Sequence, residues 1–182
     1  MRPPVPEFSR PLALRDLGPE GTTLRIEASA EECAALARRF GLAGIARLAA
    51  ELWVEPMAGP GTLRLEGRLE AAVRQTCVVT LEPFDQAVAA HFERLYAPPG
   101  DEAPGAAGEG AGGEDVVEPL AGDSLDLGEV VAEELALDLD PYPRAPGVDT
   151  SEVLKNYGVS ADNAADAGPF AALAKLKRDP GA

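Results

Sequence analysis

Leu63-Arg-Leu-Glu-Gly-Arg-Leu-Glu-Ala-Ala-Val-Arg74 is the stretch that decides the fold. Leu63, Leu65, Gly67, Leu69, Ala71 and Val73 alternate with Arg64, Glu66, Arg68, Glu70, Ala72 and Arg74. A period of two sends the two sets to opposite faces of a strand. One face is apolar and the other charged, so the strand belongs to an antiparallel sheet with one side in the core and one in water. Gly67 inside the run points to a bulge or bend. Cys77 keeps the parity of the apolar set.

The pattern repeats on both sides. Leu48, Ala50, Leu52 and Val54 share a face between Leu48 and Glu55, and Pro56 ends that run. Gly59-Pro-Gly61 supplies the turn. Leu81-Glu-Pro-Phe84 connects onward to a strand over 86–96, with Val88, Ala90, Phe92 and Tyr96 on one face. Leu24, Ile26 and Ala28 mark an earlier strand, and 7–15 reads as an irregular edge strand broken by Pro11. Short connections between consecutive strands imply an antiparallel meander.

Two segments change period. Ser29 with Glu32 forms a capping box, Cys33, Leu36, Ala37 and Phe40 make an apolar stripe, and Gly41 ends the helix. Asp126 is an N-cap with Glu129 three residues on. Leu127, Val130, Val131, Leu135 and Leu139 form the second stripe, and Pro141 stops it. The expected fold class is α+β: an antiparallel sheet of about five strands, open or curled toward a barrel, packed with two main helices. The expected domain covers 7–143, with a flexible acidic loop at about 98–120. A flexible tail at 144–182 carries a short amphipathic segment at 169–178, which docks on a partner or on the domain itself.

The net charge is −15. It is not evenly spread. Residues 101–140 hold 13 Asp or Glu and no Lys or Arg, whereas the rest hold 18 acids and 16 bases. The acidity is therefore a loop and a helix, not a repulsive shell around the whole chain. No apolar run approaches the roughly 20 residues that cross a bilayer. The first residues lack the apolar region of a secretory signal, so a cytoplasmic location is expected.

Catalytic chemistry has little footing. One histidine, His91, and two distant cysteines, Cys33 and Cys77, are too few for a metal centre. His91 falls on the wet face of its strand. No serine lies in a nucleophile elbow, and no lysine-bearing glycine loop could cradle phosphate. Arg64, Arg68 and Arg74 form a row that suits either a nucleic-acid face or cross-strand ion pairs, and the interleaved Glu66 and Glu70 favour the pairs.

Three segments together carry a resemblance. They are Cys77-Val-Val-Thr-Leu-Glu-Pro-Phe84, Asp126-Leu-Gly-Glu-Val-Val-Ala-Glu-Glu-Leu135, and Gly168-Pro-Phe-Ala-Ala-Leu-Ala-Lys-Leu-Lys177. In this order they resemble the YceD-like family, named for large ribosomal RNA subunit accumulation. The resemblance spans about Phe8 to Arg178. It implies a non-catalytic ribosome biogenesis factor that supports synthesis or accumulation of large-subunit (23S) ribosomal RNA. Its partner would be a precursor of that RNA, a large-subunit ribosomal protein, or both.

The motif residues implied as binding candidates are Cys77, Thr80, Leu81, Glu82, Pro83, Phe84, Asp126, Glu129, Glu133, Glu134, Phe170, Leu173, Leu176 and Lys177. Many members carry a second cysteine where this chain has Thr80, and Cys or His where it has Tyr142-Pro-Arg144. A zinc site is therefore not carried over, and neither cofactor nor metal is expected. Competing readings are an enzyme that processes or modifies ribosomal RNA, and a general acidic protein-interaction module.

Overall fold

The alternation at 63–74 becomes the middle strand of a five-stranded sheet. In the computed structural model, which describes residues 6–58, 61–99, 117–120 and 122–156, the chain runs β1 (Pro11–Ala13), β2 (Thr22–Glu27), α1 (Ala30–Phe40), β3 (Gly44–Pro56), β4 (Leu63–Thr76), β5 (Pro83–Ala97), β6 (Val117–Pro119), β7 (Ser124–Asp126), α2 (Leu127–Asp138) and α3 (Thr150–Asn156). Strand order in the main sheet is β2-β3-β4-β5-β6. The first four strands pair antiparallel; short connections join β3, β4 and β5, and α1 returns the chain from β2 to β3. The fold is α+β.

Several expectations are corrected. The sheet stays open, with β2 and β6 at its edges and no barrel closure. β6 pairs parallel with the end of β5, because the chain returns after a long excursion rather than through a hairpin. Pro11 begins β1 instead of breaking it, and β1 pairs with β7 as a separate two-stranded ribbon. A proline suits the first position of so short a strand. β3 starts at Gly44, before the clean alternation. Residues 150–156, read above as part of an extended tail, form a short helix whose entry Asp149 accepts hydrogen bonds from the Ser151 amide and hydroxyl. The segment at 169–178 and most of the acidic loop lie outside the described residues.

Gly67 is the most instructive correction. The β4–β5 register runs without a break from Leu63–Tyr96 to Thr76–Pro83. The irregularity instead falls in β3, between Ile45 and Arg47. A Cβ on Gly67 would land on the Phe92 ring and lie 2.8 Å from Leu52 Cδ2. The glycine therefore makes room for an aromatic ring on the next strand.

One face of the sheet meets both helices. Leu48, Leu52, Val54, Leu65, Leu69 and Val73 are buried there with Leu36 of α1 and Leu127, Val131 and Leu135 of α2. Removing such apolar surface from water is the main stabilising term. Ser29 and Glu32 complete the capping box, and Gly41 takes the left-handed conformation at φ 67°. Phe8, ahead of β1, is fully buried against this core. Gly128 lets α2 come close to it, since a Cβ there would strike the Phe8 carbonyl.

Candidate functional site

Parity carries Cys77 into the interior just where the chain reverses from β4 into β5. The reversal is held by short bonds. Cys77 N–H donates to the Glu82 carbonyl at 2.9 Å, and Leu81 N–H donates to the Cys77 carbonyl at 2.9 Å. The Thr80 amide points at Cys77 Sγ, 3.5 Å away. This tight turn forces Leu81 to φ 62°, the only positive φ outside glycine among the described residues. An L-residue pays for that conformation in steric strain. Leu81 nevertheless leaves its side chain 76% exposed.

The chain leaving α2 lies against this turn. Val78 N–H donates to the Pro143 carbonyl at 2.9 Å. Gln75 Nε2 reaches the Asp140 carbonyl at 3.3 Å, and Asp140 Oδ1 in turn accepts from the Tyr142 amide at 2.8 Å. Val78, Leu81 and Tyr142 are all exposed. Three large apolar side chains thus stand in water on two hydrogen-bonded segments. The second sequence motif reaches the first through its own C-terminal continuation.

Cys77 Sγ is enclosed but not apolar in its surroundings. The Thr80 hydroxyl, followed by the Ala145 and Thr80 amides, pulls the thiol down to about 7, against the opposing effect of desolvation. Hydrogen bonds to a thiolate favour the charged form. Cys33, by contrast, is pushed up by burial on α1. The chain offers one thiol here, and Thr80, Tyr142 and Arg144 at the other motif positions do not complete a zinc ligand set. Among the described residues no three His, Cys, Asp or Glu side chains converge to hold a metal ion.

The acidic candidates on α2 have partners within the domain. Asp126 accepts from the Gly128 and Glu129 amides, and also binds the Ser9 hydroxyl at 2.5 Å and the Arg10 amide at 2.7 Å. Glu129 takes Arg39 at 2.8 Å. Glu133 and Glu134 both hold Arg94, at 2.8 and 2.6 Å, and Glu118 approaches it at 3.1 Å. Burial opposes the Arg94 charge, but the bonds to Glu133 and Glu134 outweigh it and raise its pKa. Pro83 and Phe84 open β5. Phe170, Leu173, Leu176 and Lys177 lie outside the described residues.

Sequence reasoning missed Arg94, Val78 and Tyr142. A signal for Arg94 was present: it sits at the core parity of β5, with Val88, Ala90, Phe92 and Tyr96, where a charge must find partners. The arginine row is mostly paired. Arg64 meets Glu93 at 2.6 Å and Glu55 at 3.5 Å, and Arg74 meets Asp85 at 2.7 Å. His91 is exposed and lies 3.0 Å from Glu66.

A family model described as "Large ribosomal RNA subunit accumulation protein YceD" matches residues 65–177, which include most of β4, the Cys77 turn, α2 and the tail motif. The match covers more than half of the chain. The protein belongs to the YceD family. No curated protein and no solved structure matches it significantly. Among the described residues, no helix is long and apolar enough to cross a membrane.

Proposed function

We propose that this YceD-family protein is a non-catalytic, cytoplasmic ribosome biogenesis factor. It supports accumulation of large-subunit ribosomal RNA by binding a ribosomal precursor or a large-subunit ribosomal protein. The family supports the role in RNA accumulation. The reading of the mechanism rests on one observation: Leu81 is held in a strained conformation with its side chain in water, beside exposed Val78 and Tyr142. Strain of this kind persists where the surrounding structure over-determines it and commonly marks binding sites. Exposed apolar groups on a braced turn are also what a partner would cover.

The carboxylates of α2 serve a different purpose in this reading. Glu129, Glu133 and Glu134 cross-link the domain through Arg39 and Arg94, which sets the turn and the segment after α2 in place. The tail residues Phe170, Leu173, Leu176 and Lys177 are proposed as a second contact with the same partner, on their helical spacing in the sequence.

The test is complementation of a depleted strain with Leu81→Asp/Tyr142→Ala. The variant should fold with an unchanged circular dichroism spectrum, yet fail to restore large-subunit ribosomal RNA and the large-subunit peak in a sucrose gradient. Full restoration would refute the turn as the binding site. Incubation of the pure protein with labelled precursor RNA and divalent metal should leave the RNA intact. Cleavage or modification lost in a point variant would refute the non-catalytic reading.

A further inference from the structure

We infer that the outer edge of β5 is a strand-pairing surface for a second copy of this chain, an assignment independent of how the protein acts on ribosomal RNA. β5 is 15 residues long, but β6 covers only Leu95–Ala97. From Asp85 to Glu93 the edge away from β4 carries no ladder to any other described residue. The Leu120 amide donates to the Ala97 carbonyl at 2.7 Å from that side, so the odd-numbered residues of β5 point their amides and carbonyls outward. Asp85, Ala87, Ala89, His91 and Glu93 therefore present a row of donors and acceptors that no described residue takes up.

Exposed edges are normally blunted by a proline, a lysine, a bulge or short length. The other edge strand, β2, is six residues long and carries Arg25 and Glu27. Between Phe84 and Tyr96, β5 has no proline, no lysine and no register break, and its charges, Asp85, Glu93 and Arg94, stand toward its two ends. Its centre reads Ala87-Val-Ala-Ala90. An edge this long, regular and nearly neutral is a template for another strand.

Self-pairing has one register that fits. A continuous sheet requires opposed residues to share a face, so a two-fold axis must pass through a residue. An axis at Val88 sets Ala87 against Ala89 of the second copy and Asp85 against His91, an acceptor facing an imidazole. On the core face it sets Phe84 against Phe92. An axis at Ala89 would oppose Asp85 and Glu93, and one at Ala87 would leave His91 facing Pro83. Each outward pair exchanges two hydrogen bonds, about eight in all. One strand pair buries less than the roughly 1,200 Å² of a stable interface, so the dimer should dissociate on dilution. Two chains of charge −15 repel each other, so added salt should tighten it.

The experiment is sedimentation equilibrium of the full chain at several concentrations and two salt levels. The average mass should rise from 18.9 kDa toward twice that value. Ala89→Pro removes an outward amide and no β4–β5 bond, so it should stay folded and raise the dissociation constant more than about tenfold, which is about 1.4 kcal/mol. Val88→Cys places thiols on the axis, where non-hydrogen-bonded partners have Cα atoms about 4.5 Å apart. It should cross-link under mild oxidation, and Val88→Cys/Ala89→Pro should not. A mass constant at 18.9 kDa together with no cross-linking would overturn the inference. A dimer untouched by Ala89→Pro would assign the contact to another surface, and amide protection at Ala87–His91 appearing only with a foreign peptide would assign the edge to a different protein.

Discussion

Gly67→Ala should destabilise the domain although its backbone can accept alanine. Gly67 does not occupy the left-handed region, so the change carries no φ penalty. Alanine would in fact reduce the entropy of the unfolded chain, a gain of about 0.5–1 kcal/mol. The obstacle is space. The new Cβ would fall on the Phe92 ring, 2.7 Å from Cε1, and 2.8 Å from Leu52 Cδ2. Both neighbours are buried in the centre of the sheet, so neither can swing into solvent. Overpacking of this kind costs about 1–3 kcal/mol, and the net loss should be about 1–2 kcal/mol. With a urea dependence of about 2 kcal/mol per molar, the unfolding midpoint should fall by about 0.5–1 M. Phe92→Leu removes the closer of the two clashes and leaves the one with Leu52 Cδ2. In the double variant alanine should cost less, giving a coupling of about 1 kcal/mol or more. A midpoint that does not fall, or two costs that simply add, would refute the packing argument and reopen a local bend as the reason for Gly67.

Glu32 is held down to about 2, chiefly by its hydrogen bonds to Arg10. Its carboxylate stabilises the fold above the unfolded value near 4, and that contribution disappears as pH falls through about 2. Glu32→Gln should therefore cost about 1–2 kcal/mol at pH 7, with the gap to wild type closing in urea titrations below pH 4. Arg94→Met should leave Glu118, Glu133 and Glu134 facing one another and cost about 2–4 kcal/mol. Its deficit should shrink when Glu134→Gln is added, and a deficit unchanged by that second substitution would speak against carboxylate repulsion. Leu81→Gly relieves the left-handed strain and should hold or raise thermal stability by up to about 1 kcal/mol, while weakening recovery of ribosomal partners. A large drop in melting temperature would mean that the Leu81 side chain supports the core.

What the sequence made legible was periodic. The β4 alternation, the Ser29–Glu32 box and the Asp126 cap each depend on residues within a few positions, and all three stand in the structure. The β1–β7 ribbon and the parallel β6 were not legible, because their partners lie far along the chain and three-residue strands have no measurable period. Gly67 was misassigned for a related reason: a glycine in a strand signals close approach as readily as a bulge, and only the cross-strand neighbour distinguishes them. At the candidate site, Cys77 and Leu81 were visible through their motif. Tyr142 became meaningful only once Val78 and Pro143 were found bonded to each other.

Asp126 ties the second helix to Ser9 and Arg10, at a separation of 116 residues from Arg10. That tie sets an order of events during translation. Phe8, fully buried in the finished domain, is made long before the helix that seals it. At about 5–20 residues per second the wait is roughly 6–23 s. Within that interval β2, α1 and the hairpins of β3 to β5 can assemble as they are made, but their apolar face lacks the part of its cover that α2 supplies. The nascent chain therefore carries a half-covered sheet and a loose aromatic anchor until α2 clears the ribosome. Closure is then a single late step in which helix, ribbon and the segment around Phe8 lock together, and a truncation before Asp126 should leave an aggregation-prone remnant, not a smaller stable domain.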